Sequence, residues 1–229
     1  MGVWTGITAD DGHQLTAYRA CAGDVVAPGI VLLQEIFGVT PEMQALADKF
    51  QEFGYCVVVP ALYDRIYEDC VIEYRDPTLA RATKDKLHYE ETEYDIKAAI
   101  KVADNGHGVA LIGYCWGGGL AYRVAQKTNV QAVISYYGTN LVQYCTSPPP
   151  TAPCQFHFGI DDPMIDSRAR QLIRRSCRSI DQYFEYEGTG HAFVNVARPN
   201  YRQVQADLAE ERCMAFLDAM FHQSASARY

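Results

Sequence analysis

The stretch Gly113-Tyr114-Cys115-Trp116-Gly117-Gly118 sets a thiol between glycines that stand two residues to either side. That spacing is the pattern of a nucleophile elbow, a turn from strand to helix that pushes one reactive side chain out at the end of a sheet. The apolar run Val109-Ala110-Leu111-Ile112 before it reads as a short buried strand, and Gly119-Leu120-Ala121-Tyr122-Arg123-Val124-Ala125 after it reads as a helix. So tight a turn strains the nucleophile's backbone and crowds its neighbours, and glycine removes the crowding. The competing use of Cys115 is as a small buried hydrophobe, the common fate of a free cysteine.

A thiol nucleophile needs a base to take its proton and later return one to a leaving group. His191 is the candidate, because it lies in Gly190-His191-Ala192-Phe193, directly after an expected strand. His13, His88, His107, His157 and His222 read as surface or structural residues. A carboxylate behind the imidazole would hold its tautomer and stabilise the charged ring. Asp161 and Asp162 compete for that role, and Asp162 is preferred as the third residue after Gly159 at a strand exit. The chain order of nucleophile, acid and histidine is more specific than the elbow alone. Two backbone N–H groups should hold a developing oxyanion, from Trp116 after the nucleophile and from Ile36 in the loop after Leu33. Cys115 also precedes a helix, whose dipole favours thiolate. Glu35 places a charge where a buried strand stops, beside that oxyanion loop, which favours a functional role.

These residues need strand ends to hold them. Two β-like stretches in residues 3–21 flank Asp10-Asp11-Gly12 and suggest a hairpin. Ile30-Val31-Leu32-Leu33 and Cys56-Val57-Val58-Val59 read as buried strands. Between them Thr40 caps a helix with Pro41 at its first position, with Met43, Leu46, Ala47 and Phe50 on its apolar face and Gly54 at its end. A single helix is expected over residues 79–104, with Ile96, Ala99, Ile100 and Ala103 inward. Further strands are expected at residues 132–138, 155–159 and 183–186. Asp166 should cap a helix with Ala169, Leu172 and Ile173 inward, and a last helix over 199–222 should bury Val204, Leu208, Phe216, Leu217 and Met220. Strands alternating with helices predict a mostly parallel central sheet covered on both faces. Ligands in such a sheet bind outside the carboxyl ends of the strands, where all these loops lie. With no repeat or low-complexity linker, residues 1–229 read as one α/β domain.

Composition narrows the partners. Hydrophobic content of 48% and charged content of 21% suit a globular chain. A net charge of −8 argues against nucleic acid or an anionic membrane surface, while leaving room for an anionic small substrate held by local arginines. The opening residues have neither a basic start nor an apolar core, so no leader is expected. No apolar run approaches bilayer length. The eight cysteines show neither C-x-x-C spacing nor the density of a disulfide scaffold. Mostly free thiols are expected, and with them a reducing compartment, the cytoplasm. No metal-ligand spacing is visible, and no cofactor is expected.

The chain resembles the dienelactone hydrolase family of α/β-hydrolases over nearly its whole length. The matching residues are Gln34-Glu35-Ile36-Phe37-Gly38, Pro60-Ala61-Leu62-Tyr63, the cysteine elbow, Tyr136-Tyr137-Gly138, His157-Phe158-Gly159 with Asp162, and Gly190-His191-Ala192-Phe193. The resemblance implies an α/β-hydrolase fold and a Cys115-His191-Asp162 triad, with Ile36 and Trp116 amides at the oxyanion. It implies that Glu35 partners the resting thiol and helps switch it to thiolate. The implied reaction is hydrolysis of a small ester or lactone through an acyl-cysteine, by a monomer or small homo-oligomer. Relatives acting on dienelactone grip its carboxylate with arginines, which suit that geometry. Arg75, Arg81 and Arg198 stand in or near the corresponding regions, Arg81 and Arg198 being the candidates, although Val194-Asn195 follows Phe193 here. Phe37, Trp116, Tyr136 and Tyr137 are candidates for an aromatic pocket, with core packing the simpler use of each ring. Two other readings stay open: a broader esterase, thioesterase or phosphoester hydrolase on the same triad, and a non-catalytic thiol-sensing or binding protein.

Overall fold

The computed structural model describes residues 1–21 and 27–226, with side chains as far as Phe221. His222 and the tail of residues 224–229, for which no core role was expected, lie outside the described side chains. Contacts gather the chain into two compact units, Met1–Val109 and Ala110–Tyr229.

In the first unit, β1 (Val3–Thr8) and β2 (Gln14–Ala20) form the expected antiparallel hairpin. β2 pairs antiparallel with β4 (Cys56–Pro60), and β4 pairs parallel with β3 (Gly29–Leu33), so the strands lie in the order β1-β2-β4-β3. β3 and β4 are buried at every position, as continuous apolar strands should be. Helix α1 (Pro41–Glu52) begins as expected: the Thr40 side chain accepts from the Met43 N–H, and Pro41 sits where no donor is needed. A 3-10 turn covers Leu62–Arg65.

The single helix expected over 79–104 is two helices, α2 (Pro77–Lys84) and α3 (Tyr89–Ala103). Asp76 caps α2, and α3 buries Ile96, Ala99, Ile100 and Ala103 as expected. Residues 84–91 contain no buried position, so no apolar stripe holds a continuous helix across them. Arg65 secures α3 by donating to the fully buried Asp95 (Nε–Oδ2 2.7 Å) while also pairing with Asp11 (2.9 Å).

The second unit starts within β5 (Val109–Tyr114). Helix α4 (Trp116–Ala125), strand β6 (Ala132–Tyr136), the short helix α5 (Leu141–Tyr144), strand β7 (Cys154–Gly159), helix α6 (Ser167–Ser176), strand β8 (Gln182–Tyr186) and helix α7 (Gln203–Ser226) follow. Its strands run parallel in the order β5-β6-β7-β8. The register pairs Tyr114 with Tyr136, Tyr136 with His157, and Gly159 with Tyr186. The carboxyl ends therefore stand nearly level, and the loops after them open on one edge. Alternate residues of β8 meet different helices. Tyr183 and Glu185 bond Arg170 of α6, while Phe184 and Tyr186 lie under Arg212 of α7. β8 therefore meets a helix on each face, its alternate residues pointing to opposite sides.

Two buried faces differ from expectation. In α6, Leu172 is 43% exposed, and Arg170 turns inward to Glu185 (2.9 Å) and to the Ile165 carbonyl (2.8 Å). In α7, Phe216 and Leu217 are buried as expected, but Val204 is 75% exposed and Leu208 is also outward; Ala206, Ala209 and Cys213 are buried in their place. In each case the strand face under the helix carries polar or bulky groups that select a small or hydrogen-bonding partner over the larger aliphatic one. Most cysteines are free, as expected: six are free, while Cys21 and Cys56 are joined by a disulfide. They follow Ala20 and precede Val57, a directly paired couple on β2 and β4, so the strand register brings them together. Sequence separation hides such a pair. No described helix is long and apolar enough to cross a membrane.

Candidate active site

Cys115 caps α4 at the end of β5, in the left-handed region at φ 54° and ψ −118°. For a residue with a side chain this is strained backbone of the kind that gathers at functional sites. The glycines show why the turn is possible. A Cβ at Gly113 would collide with the Gly117 carbonyl, and one at Gly118 would lie 2.7 Å from Ser135 Oγ and 2.9 Å from Gly138 Cα. Both faces of the turn are fixed by neighbouring backbone: Cys115 N–H donates to the Tyr136 carbonyl (3.0 Å), and Thr139 N–H donates to the Cys115 carbonyl (3.0 Å).

The loop after β7 brings Asp162, rather than Asp161, to His191, with Asp162 Oδ2 2.7 Å from His191 Nδ1. The other carboxylate oxygen accepts the Met164 N–H at 2.8 Å, closing a turn across Pro163. Asp162 is completely buried and His191 is 13% exposed. Asn200 donates to the His191 carbonyl at 3.0 Å and ties down the loop from behind. The chain turns sharply after the histidine, with Ala192 at φ 63°. His191 Nε2 is buried and makes no well-formed hydrogen bond among the described residues. Burial by itself lowers the proton affinity of His191, but bonding to Asp162 and to Cys115 outweighs it and raises the pKa to about 10. A loose contact between nucleophile and base is common before substrate binds.

Cys115, Asp162, His191, Trp116 and Tyr137 thus belong to loops and a helix start at the carboxyl ends of β5 to β8. Trp116 is the first residue of α4 and is buried. Tyr137 is completely buried, with its ring 4.9 Å from that of His191. Arg198 is partly buried in the turns after His191, where its N–H donates to Asn195. The remaining candidates are in the first unit. Glu35 is buried in the loop after β3, and the Ile36 carbonyl accepts from Tyr63 Oη at 2.6 Å. Gln34, completely buried, steadies this loop by accepting from the Leu62 N–H (3.3 Å) and donating to the Glu35 carbonyl (3.3 Å). Phe37 is buried edge-on against Tyr74 at 4.8 Å, and Arg81 is exposed on α2.

Several supporting groups escaped the reading of the sequence. The Asp162-Pro163-Met164 turn carries a usable signal, since an aspartate commonly accepts from the N–H two residues on. Nothing local marks Asn200 or Tyr137 as neighbours of His191.

The pattern of the dienelactone hydrolase family matches residues 15–221. The carboxymethylenebutenolidase of Pseudomonas putida is 34% identical over 223 residues, covering 92% of this chain and 94% of that protein. Carboxymethylenebutenolidase 1 of Cupriavidus pinatubonensis is 30% identical over 221 residues, covering 92% and 94%. Among solved structures, a dienelactone hydrolase-like promiscuous phosphotriesterase from metagenomic libraries has a TM-score of 0.77 over 96% of this chain and 99% of that one. At 15% identity, that last likeness is one of fold.

Proposed function

The chain belongs to the dienelactone hydrolase family, and from that premise we propose that it hydrolyses small esters or lactones on a Cys115-His191-Asp162 triad. The observation that carries this reading is the 2.7 Å bond between His191 Nδ1 and Asp162 Oδ2, at the same sheet edge as the strained Cys115 turn.

In the proposed reaction His191 Nε2 takes the thiol proton, and Cys115 Sγ forms a bond to the substrate carbonyl carbon. The carbonyl oxygen becomes an oxyanion, for which the Trp116 and Ile36 amides are the proposed donors. Collapse breaks the carbon–oxygen bond of the ester or lactone, and His191 gives its proton to the leaving oxygen. His191 then accepts a proton from water as the hydroxide adds to the acyl carbon. The second collapse breaks the carbon–sulfur bond and releases the acid, and His191 returns its proton to Cys115 Sγ. Asp162 stabilises the imidazolium in each half of the cycle. Glu35 is the proposed partner of the resting thiol, keeping an idle cysteine protonated and less open to oxidation. Arg81 and Arg198 are the candidates for a clamp on a substrate carboxylate.

The test is a panel of activated esters, lactones with and without a carboxylate, a thioester and a phosphotriester, given to wild type and Cys115→Ala. Wild type should hydrolyse esters and lactones, and the variant should lose at least about a thousandfold in kcat. Equal rates in the two proteins would remove Cys115 as nucleophile. Turnover of the phosphotriester in place of the carboxylic esters would favour the broader phosphoester reading. A wild type that turns over nothing on the panel would leave the thiol-sensing reading in its place.

A further inference from the structure

We propose that Tyr137 is a positioning residue, whose ring holds the His191 imidazole in the plane that directs Nε2 to Cys115. The inference rests on the triad reading above. A hydrogen bond to the Asp162 carboxylate holds the imidazole at Nδ1, while coupled changes of χ1 and χ2 can still tilt the ring about that contact. A second contact is needed to fix the plane, and Tyr137 supplies it. Its ring meets that of His191 at 4.9 Å and 61°, an edge-to-face contact, and it is completely buried.

The same ring also meets Phe193 at 5.9 Å and 67°. Tyr137 therefore touches the residues on both sides of Ala192, where the chain makes its left-handed turn at φ 63°. Phe193 is completely buried and is backed in turn by Tyr186 at 4.9 Å. A swing of His191 would have to displace a ring that has no open space to enter.

The backbone of Tyr137 is itself unusual. It sits at φ 40°, which a bulky residue adopts only when its surroundings impose it. Its N–H donates to the His157 carbonyl at 2.7 Å, holding that conformation against β7. The left-handed turn at the end of β6 aims the side chain at the histidine loop. A residue serving only to fill the core would not need such backbone. The ring, rather than any contact with substrate, is the working part.

The experiment compares wild type, Cys115→Ala, Tyr137→Leu and Tyr137→Phe on one activated ester, with thermal unfolding of each. Removing the ring in Tyr137→Leu should lower kcat about 10- to 100-fold, the cost of a loosely held catalytic group, with KM within about threefold. Tyr137→Phe restores the ring and should recover kcat at least about tenfold over the leucine variant. Should Tyr137→Leu fail to fold, Tyr137→Asn removes the ring while tolerating a positive φ, and takes its place. Equal damage from the Phe and Leu variants would assign the effect to the hydroxyl and overturn the proposal. So would a leucine variant with unchanged kcat, or one affected in KM alone. Activity retained by Cys115→Ala would instead sink the triad reading, and the inference with it.

Discussion

His191 concentrates opposing forces on a single ring. Burial disfavours its charged form, while Asp162 and Cys115 favour it, and the pKa rises to about 10 from an ordinary 6.5. The proton is therefore bound more tightly in the folded protein than in the unfolded chain. Its contribution to stability is complete below pH about 6.5 and is lost as pH rises through about 10. Thermal unfolding followed from pH 6 to 11 should show that alkaline loss in wild type, on the order of 5 kcal/mol, and a smaller one in Asp162→Asn. Identical alkaline slopes would mean that Asp162 does not hold the proton. Cys115 and His191 were legible because each lies in a short local pattern: glycines around one, a strand exit before the other. Asp162 is preferred over its neighbour by its place third after Gly159, and the loop's path brings Asp162 rather than Asp161 to His191.

At the scale of elements, the loop carrying Asp162 is anchored by a residue that periodicity did not select. Helical spacing points Leu172 inward, but Leu172 is 43% exposed and Arg170 takes the buried position. Here its guanidinium bonds Glu185 on β8 and the Ile165 carbonyl, joining α6, β8 and the loop of residues 159–166. Its neighbour Tyr183 donates to the Arg170 carbonyl at 3.2 Å. Replacing Arg170 by Met keeps much of the packed stem but takes the guanidinium from the Ile165 carbonyl and leaves Glu185 with Tyr183 Oη (3.0 Å). Chemical denaturation should show a loss of about 1.5–3 kcal/mol for Arg170→Met, the usual range for a bond to a charged group. A loss under about 0.5 kcal/mol would show that the contact is ordinary surface chemistry. Val204 and Leu208 on α7 teach the same lesson in reverse. Helical spacing identified a stripe, but the small residues Ala206 and Ala209 are the ones that fit against the strands beneath.

For the whole chain, one family pattern spans both units, and the net charge of −8 remains consistent with a small-molecule substrate. The expectation of a reducing, cytoplasmic setting rested on unpaired thiols, and the Cys21–Cys56 bond takes away part of that support. The bond closes a loop with a sequence separation of 35 residues in the first unit. Loop-closure entropy assigns such a link roughly 3–4 kcal/mol. Dithiothreitol should therefore lower Tm in wild type and leave a Cys21→Ser, Cys56→Ser double variant unmoved. An unchanged wild-type Tm under complete reduction, verified by thiol counting, would show that the link does not support the fold.

What the amino-acid sequence determined by itself was whatever depends on neighbours in the chain. The strands, most helices, the caps at Thr40 and Asp166, and the strained thiol turn all follow from spacing, branching and glycine. Tertiary structure alone decided what depends on register and on the surface opposite. Pairing β2 with β4 joined Cys21 to Cys56, and packing on β8 drew Arg170 inward. The level strand ends of β5 to β8 set Tyr137 against His191. Side-chain direction is fixed by what lies across the gap, and that is information a linear spacing does not hold. The cysteine elbow marks where attack would occur; the ring pressed on its histidine shows how the geometry for attack is kept.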